Sequence, residues 1–119
     1  MLPENTNVVN IELNQNANFE VWLNVFDQTA NTYLDLTNYY ANSAYTTAFG
    51  TTDPANLTVI HSDVVNAVAG EIKLSLSASE TSAIDPFMKY FYDVSITNAN
   101  TAYKTRIIQG TIKVNAGVS

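Results

Sequence analysis

The 119-residue chain is 46% hydrophobic, which is enough to pack one domain and excludes wholesale disorder. Its net charge of −6 comes from 11 acids and 5 bases, and residues 1–72 contain no Lys or Arg. Nucleic-acid binding relies on bases that neutralise phosphates, so we expect no nucleic-acid partner. Without cysteine there is no disulfide framework, thiolate nucleophile or cysteine metal site.

Uncharged polar residues replace the missing charges along the whole chain. Charged residues make up only 13%, whereas the chain has 15 Asn, 14 Thr and 8 Ser. This composition favours contacts made by hydrogen bonds and is typical of a module docked in an assembly. The sequence has neither an apolar run near the ~20 residues of a membrane span nor a signal-peptide pattern. We therefore expect no membrane partner and assembly in a cytoplasm.

The chain divides into a lead-in, residues 1–17, and a single β-sandwich domain, residues 18–119. The lead-in is predicted to be an N-terminal arm or a first strand, and as an arm it would add to a neighbouring subunit. The next segment, Phe19 to Phe26, alternates with period 2 and predicts a strand. Its second face, which includes Trp22, is half apolar, so we expect that face to be covered as well.

A tyrosine-rich region follows. Residues 39–47 are rich in Tyr and Thr and predict a strand of high β propensity. Four tyrosines crowd this region and form a candidate contact surface: Tyr33, Tyr39, Tyr40 and Tyr45. We interpret them mainly as β formers that pack in the core and at interfaces, with a glycan-binding platform as the minor hypothesis.

The middle of the chain predicts two further strands and a helical turn. Alternation predicts strands over residues 57–62 and 71–76, while residues 63–69 fit either a short helical turn or a continued strand. A helical turn is expected near residues 79–84, capped by Ser79 and stopped by Pro86.

The last two strands form the strongest pattern. Residues 88–97 and 103–114 predict a hairpin with its turn centred between Ala99 and Asn100. That register places Asp93 opposite Arg106 and Tyr92 opposite Ile107. Tyr90 stands where immunoglobulin-like domains carry a tyrosine corner. The structural candidates are therefore Tyr90, Tyr92, Asp93 and Arg106. Together the pattern predicts an all-β, antiparallel, immunoglobulin-like sandwich of about seven strands.

Candidate catalytic residues are few. His61 is the only histidine and shares a strand face with Asp63, but no nucleophile motif accompanies them. We interpret His61 as a surface or half-buried strand residue. Asp85 and Asp93 are more simply read as a helix terminator and the ion-pair partner of Arg106 than as an acid/base pair. We therefore expect no catalytic residues, no cofactor and no metal site.

Four segments between residues 35 and 114 carry a resemblance to a known family. Residues 35–39 are similar to "DLTGY", residues 74–81 to "L-x-L-S-x-x-E-T", residues 90–94 to "Y-x-Y-D-V" and residues 106–114 to "R-x-x-x-G-x-I-x-V". In this order they resemble small immunoglobulin-like structural domains of tailed-bacteriophage virions, over about residues 34–119. Asn38 stands where the family has glycine, and Pro86-Phe87 stands in place of Pro-Gly.

The resemblance implies a non-enzymatic virion component from a tail, neck, baseplate or fibre-attachment position. It carries no catalytic residues to transfer. It implies other virion proteins and copies of the chain itself as partners. Capsid decoration and a receptor- or glycan-binding module that uses the tyrosine-rich region remain as alternatives.

Overall fold

A computed structural model describes residues 7–27, 30–47 and 58–117. This part of the chain forms ten strands and one short helix. The elements are β1 (Asn7–Val8), β2 (Ile11–Asn14), β3 (Phe19–Asn24), β4 (Phe26–Asp27), β5 (Thr32–Tyr33), β6 (Tyr39–Thr46), β7 (Thr58–Asn66), β8 (Glu71–Leu76), α1 (Ala78–Ser82), β9 (Tyr90–Asn98) and β10 (Lys104–Asn115). The predicted all-β class is confirmed.

One mixed sheet contains eight of these strands, in the order β1-β10-β9-β6-β7-β8-β3 with β2 also on β10, and β4 and β5 form a separate ribbon. The strands β1 and β2 run parallel to β10, whereas the other described pairings are antiparallel. The prediction of a wholly antiparallel fold is therefore wrong at this edge. The first strands run parallel to the last strand, and no local hairpin pattern in the sequence predicts such a pairing of distant segments.

Strand β7 divides the sheet into two walls. Its first residues pair with β6, and the rest pair with β8. We call β10–β9–β6 the first wall and β7–β8–β3 the second wall. The inward side chains of both walls meet in one hydrophobic core, which includes Val94 and Ile96 of the first wall and Ile72 and Leu74 of the second. The outward faces of the two walls therefore point away from each other.

Alternation along the strands sets what each wall buries. In β8 every second side chain is buried, and Tyr90, Tyr92, Val94 and Ile96 of β9 all face the core as predicted. Residues 63–66 continue strand β7, which decides between the two interpretations of that segment. The outward face of β3 is exposed, with Trp22 at 52%, so the expectation that it would be covered is wrong.

The lead-in is joined to the edge of β10. Val9 lies between β1 and β2, and its N–H donates to the Gln109 carbonyl at 2.9 Å. A Cβ on Gly110 would lie 2.0 Å from the Val9 carbonyl oxygen, so only glycine allows the two backbones to approach this closely. The described residues of the lead-in thus belong to this chain's own sheet, while residues 1–6 lie outside the described part.

The N-cap of the short helix lies two residues earlier than predicted. Ser77, and not Ser79, is the N-cap: its Oγ accepts from the Glu80 N–H at 3.1 Å. The Glu80 carboxylate accepts in return from the Ser77 N–H at 2.8 Å, which completes a capping box. The prediction overlooked the Ser-x-x-Glu spacing that makes Ser77 the better cap.

The last hairpin has a longer turn than predicted. The Asn98 side chain accepts from the N–H groups of Asn100 and Thr101, and the Ala102 N–H donates to the Asn98 carbonyl. Ala102 has a φ of 60°, which closes a four-residue loop. The favoured two-residue hairpin turns need a positive φ at the first central position, where Ala99 is unfavourable. Consequently the register shifts by two residues up to Arg106, and by three beyond the β-bulge that follows it.

Candidate functional site

Two of the four candidate tyrosines are open to solvent. Tyr40 on β6 is 51% exposed, and its outward neighbours on β9 are small. Tyr33 on β5 is equally exposed and packs edge-to-face on Phe26 of β4, with ring centroids 5.7 Å apart. This exposed aromatic pair lies on the two-stranded ribbon, whereas Tyr40 belongs to the eight-stranded sheet.

The other two candidates face the core. Tyr39 is half-buried against the hydrophobic cluster. Tyr45 packs edge-to-face on Tyr90 at 5.5 Å between ring centroids, and burial raises the pKa of its hydroxyl. Tyr39 and Tyr40 are adjacent in one strand, so they point to opposite faces. The structure therefore does not bring the four rings together on one platform.

The hydroxyls of Tyr90 and Tyr92 tie strand β9 to its surroundings. The Tyr90 hydroxyl accepts from the Asp85 N–H at 3.0 Å, which bridges the corner before β9. The Tyr92 hydroxyl donates to the Val9 carbonyl at 2.6 Å, and burial raises its pKa to about 12. Both side chains are nearly inaccessible, so their roles lie in holding the fold together.

Asp93 and Arg106 are not opposite each other. Asp93 pairs with Gln109 and Arg106 pairs with Ser95, because the turn is longer and a bulge follows Arg106. The bulge lets the consecutive residues Ile107 and Ile108 both reach the core. Burial raises the pKa of Asp93, and the positive charges of Arg106 and Lys104 partly oppose that rise. The predicted direct cross-strand pair is therefore wrong, although the charges still interact.

Positive charge collects on the outward side of the first wall. Four of the five bases in the sequence lie there, and we call this surface the basic face: Lys89, Lys104, Arg106 and Lys113. The Lys89 ammonium lies 5.3 Å from the centroid of the Phe91 ring, on this outward side of the wall. The described acids on this face are Asp93 and Glu12, the latter beside Lys113. Bases therefore outnumber acids by two.

Negative charge collects on the outward side of the second wall. We call this surface the acidic face, and its acids are Glu20, Asp63, Glu71 and the adjoining Glu80 of α1. Trp22 stands among them with the Lys73 ammonium 5.5 Å from its ring centroid. Lys73 is also 3.5 Å from the Glu20 carboxylate, and it is the single base on the face. Sequence reasoning missed this surface because it treated the apolar part of the outward pattern, Trp22, as a sign of cover.

His61 belongs to the edge of the acidic face. Its Nε2 lies 2.9 Å from a Glu80 carboxylate oxygen, while Asp63 lies opposite Lys73. The hydrogen bond from the Ser77 backbone N–H is the main cause that lowers the pKa of Glu80, and the hydrogen bond with His61 lowers it further. The Glu80 carboxylate therefore stays charged. Among residues 7–27, 30–47 and 58–117, no three His, Cys, Asp or Glu side chains converge as a metal site would require.

The first motif segment closes a tight turn. The Asp35 carboxylate accepts from the Thr37 hydroxyl at 2.6 Å and from the Thr37 N–H at 2.9 Å, and these bonds lower its pKa. Leu36 is buried between them, and Asn38 takes the positive φ of 69° that glycine would otherwise supply. The residues of this segment therefore shape the chain's entry into β6.

No helix in the described part of the chain is long and apolar enough to cross a membrane. No protein-family model matches the sequence, and no curated protein is significantly similar to it.

Proposed function

We propose that the protein is a non-enzymatic structural component of a tailed-phage virion. It joins or decorates tail, neck or baseplate parts through protein–protein contacts and is assembled in the host cytoplasm. One observation supports the proposal: the residues that match the phage-family motifs stabilise the fold. Ser77 and Glu80 form the capping box, the Tyr90 hydroxyl bridges the corner before β9, and Gly110 allows the close approach of Val9. An assembly module depends on a rigid framework and its surfaces, and not on reactive side chains.

We infer that the sheet is a form of immunoglobulin-like sandwich. The order β10-β9-β6 parallels the G-F-C sheet of that fold, and β7-β8-β3 parallels D-E-B. The bond from the Asp85 N–H to the Tyr90 hydroxyl supports this inference, because it spans the corner between the E-like and F-like strands. The chain differs in its first strands, which pair with β10 and not with β3.

Immunoelectron microscopy of purified particles tests the proposed location. Antibodies against the chain are expected to label discrete positions on the tail, neck or baseplate, because the chain joins parts at those places. Label spread over the head would favour the capsid-decoration alternative. Particles without label, in a preparation where the free protein binds the antibody, would contradict a virion role.

A glycan- or receptor-binding role is the second candidate. Exposed rings favour it, namely Tyr40 and the edge-to-face pair of Phe26 and Tyr33. A glycan array distinguishes the two functions when the wild type is compared with Tyr40→Ala and Tyr33→Ala. A purely structural role predicts no glycan signal in any of the three. Signal that either substitution removes would support glycan recognition.

A further inference from the structure

We propose that the acidic face of one copy docks on the basic face of a second copy, so that copies of this chain join head to tail. The inference rests on the proposed structural role, which places several copies in one particle. It adds which surfaces meet, which residues carry the contact and what symmetry results.

Charge complementarity identifies a second copy of the chain as the binding partner of each face. The basic face has four bases and two acids, and the acidic face has four acids and one base, among the described residues. Two basic faces or two acidic faces would place like charges against each other. Opposite faces attract, and such attraction steers association and fixes which surfaces meet.

The side chains at the two centres are also complementary in size. Trp22 is the large apolar group on the acidic face, and half of it remains exposed. The middle of the basic face consists of the short side chains of Asn42 and Ala44 and the buried Ser95, beside Tyr40 and Arg106. A tryptophan within a charged rim is the kind of residue that dominates binding energy at interfaces.

The geometry decides the symmetry of the contact. The two faces lie on opposite walls around one core, so one copy cannot present both to the same partner in a twofold dimer. The contact is therefore heterologous, and repeating it builds an open filament or a closed ring. In an open filament, one acidic and one basic face remain available at the two ends.

Sedimentation velocity of the purified full chain tests the proposal. The wild type is expected to exceed the mass of two chains as concentration rises in 50 mM NaCl. We expect at least a tenfold weaker association in 500 mM NaCl, because salt screens the attraction between exposed charges. A wild type that stays monomeric throughout, or associates equally at both salt concentrations, would overturn the proposal.

Charge-reversal variants test which faces meet. Lys104→Glu with Arg106→Glu makes the basic face acidic, and Glu20→Lys with Asp63→Lys makes the acidic face basic. Each variant alone is expected to be monomeric, because its two faces then carry the same sign. An equimolar mixture is expected to associate, since each reversed face meets an opposite one in the other variant. A mixture that remains monomeric, with both variants folded by circular dichroism, would overturn the face assignment.

An aromatic pair tests the role of Trp22. Trp22→Ala is expected to weaken self-association about tenfold or more. Phe87→Ala is the matched control, because Phe87 is 91% exposed and lies in the loop before β9, in no strand of either wall. Equal behaviour of the two variants would contradict the proposed contact. These measurements use purified protein. If self-association is not observed, the labelling test of the virion role is therefore unaffected.

Discussion

Replacing Gly110 by Ala tests how the lead-in is held on β10. The new Cβ would lie 2.0 Å from the carbonyl oxygen of Val9 and 2.7 Å from its carbonyl carbon. Both atoms belong to the backbone, so no side-chain rotation relieves the overlap. The segment around Val9 must therefore move away from β10.

The magnitude follows from the bonds that this movement breaks. They are the Val9 N–H to the Gln109 carbonyl, the Tyr92 hydroxyl to the Val9 carbonyl, and the two bonds from Thr111 to the Asn10 side chain. At about 1 kcal/mol each, their loss outweighs the ~0.5–1 kcal/mol that alanine gains over glycine in a strand. We expect Gly110→Ala to lower the free energy of unfolding by about 3 kcal/mol.

Urea denaturation of a double-mutant cycle measures this effect. The cycle combines Gly110→Ala with deletion of residues 1–10, which removes the Val9 carbonyl. In the shortened chain the same substitution is expected to be neutral or to stabilise by up to about 1 kcal/mol. Equal destabilisation in both chains, or a stabilised full-length variant, would refute the close approach of Val9 to Gly110.

Three further predictions concern the helix cap, the half-buried carboxylate of Asp93 and the Tyr90 corner. Ser77→Ala is expected to cost about 1 kcal/mol in thermal denaturation, whereas Ser79→Ala should be neutral, and the reverse ranking would contradict the assigned cap. Because burial raises the folded-state pKa of Asp93, its ionisation penalises the folded protein, and the penalty appears as pH rises through the unfolded and folded pKa values. Urea denaturation should therefore show Asp93→Asn gaining stability relative to wild type between about pH 3 and pH 7, and a relative loss would contradict the burial argument. Tyr90→Phe should cost about 1–2 kcal/mol in urea, because the Asp85 N–H loses its acceptor, and an unchanged midpoint would contradict that bond.

Local patterns in the sequence predicted the strands but not how distant segments meet. Alternation located β8 and the buried side of β9 because one face of each strand packs against the core. It did not reveal the parallel pairing of Ile11–Asn14 with β10, since that contact joins opposite ends of the chain. Gly110 was the available signal, because a glycine within a strand marks a close backbone approach.

The candidate site shows the same division. The outward direction of Trp22 follows its strand's period of two, but its exposure was not predicted. The sequence also could not show that Trp22 and Asp63 lie on either side of Lys73, with Glu20 3.5 Å from its ammonium. The hairpin register failed for a local reason, because the Asn98 side chain stabilises a longer turn than the one assumed. That two-residue shift moved Arg106 from Asp93 to Ser95.

Quantitative mass spectrometry of density-purified particles tests the virion role most directly. The measurement compares the amount of this chain with that of the major particle proteins across the gradient. A structural component is expected to band with intact particles at a constant number of copies greater than one per particle, since its copies join head to tail. Recovery of the chain only in the soluble fractions would contradict the account.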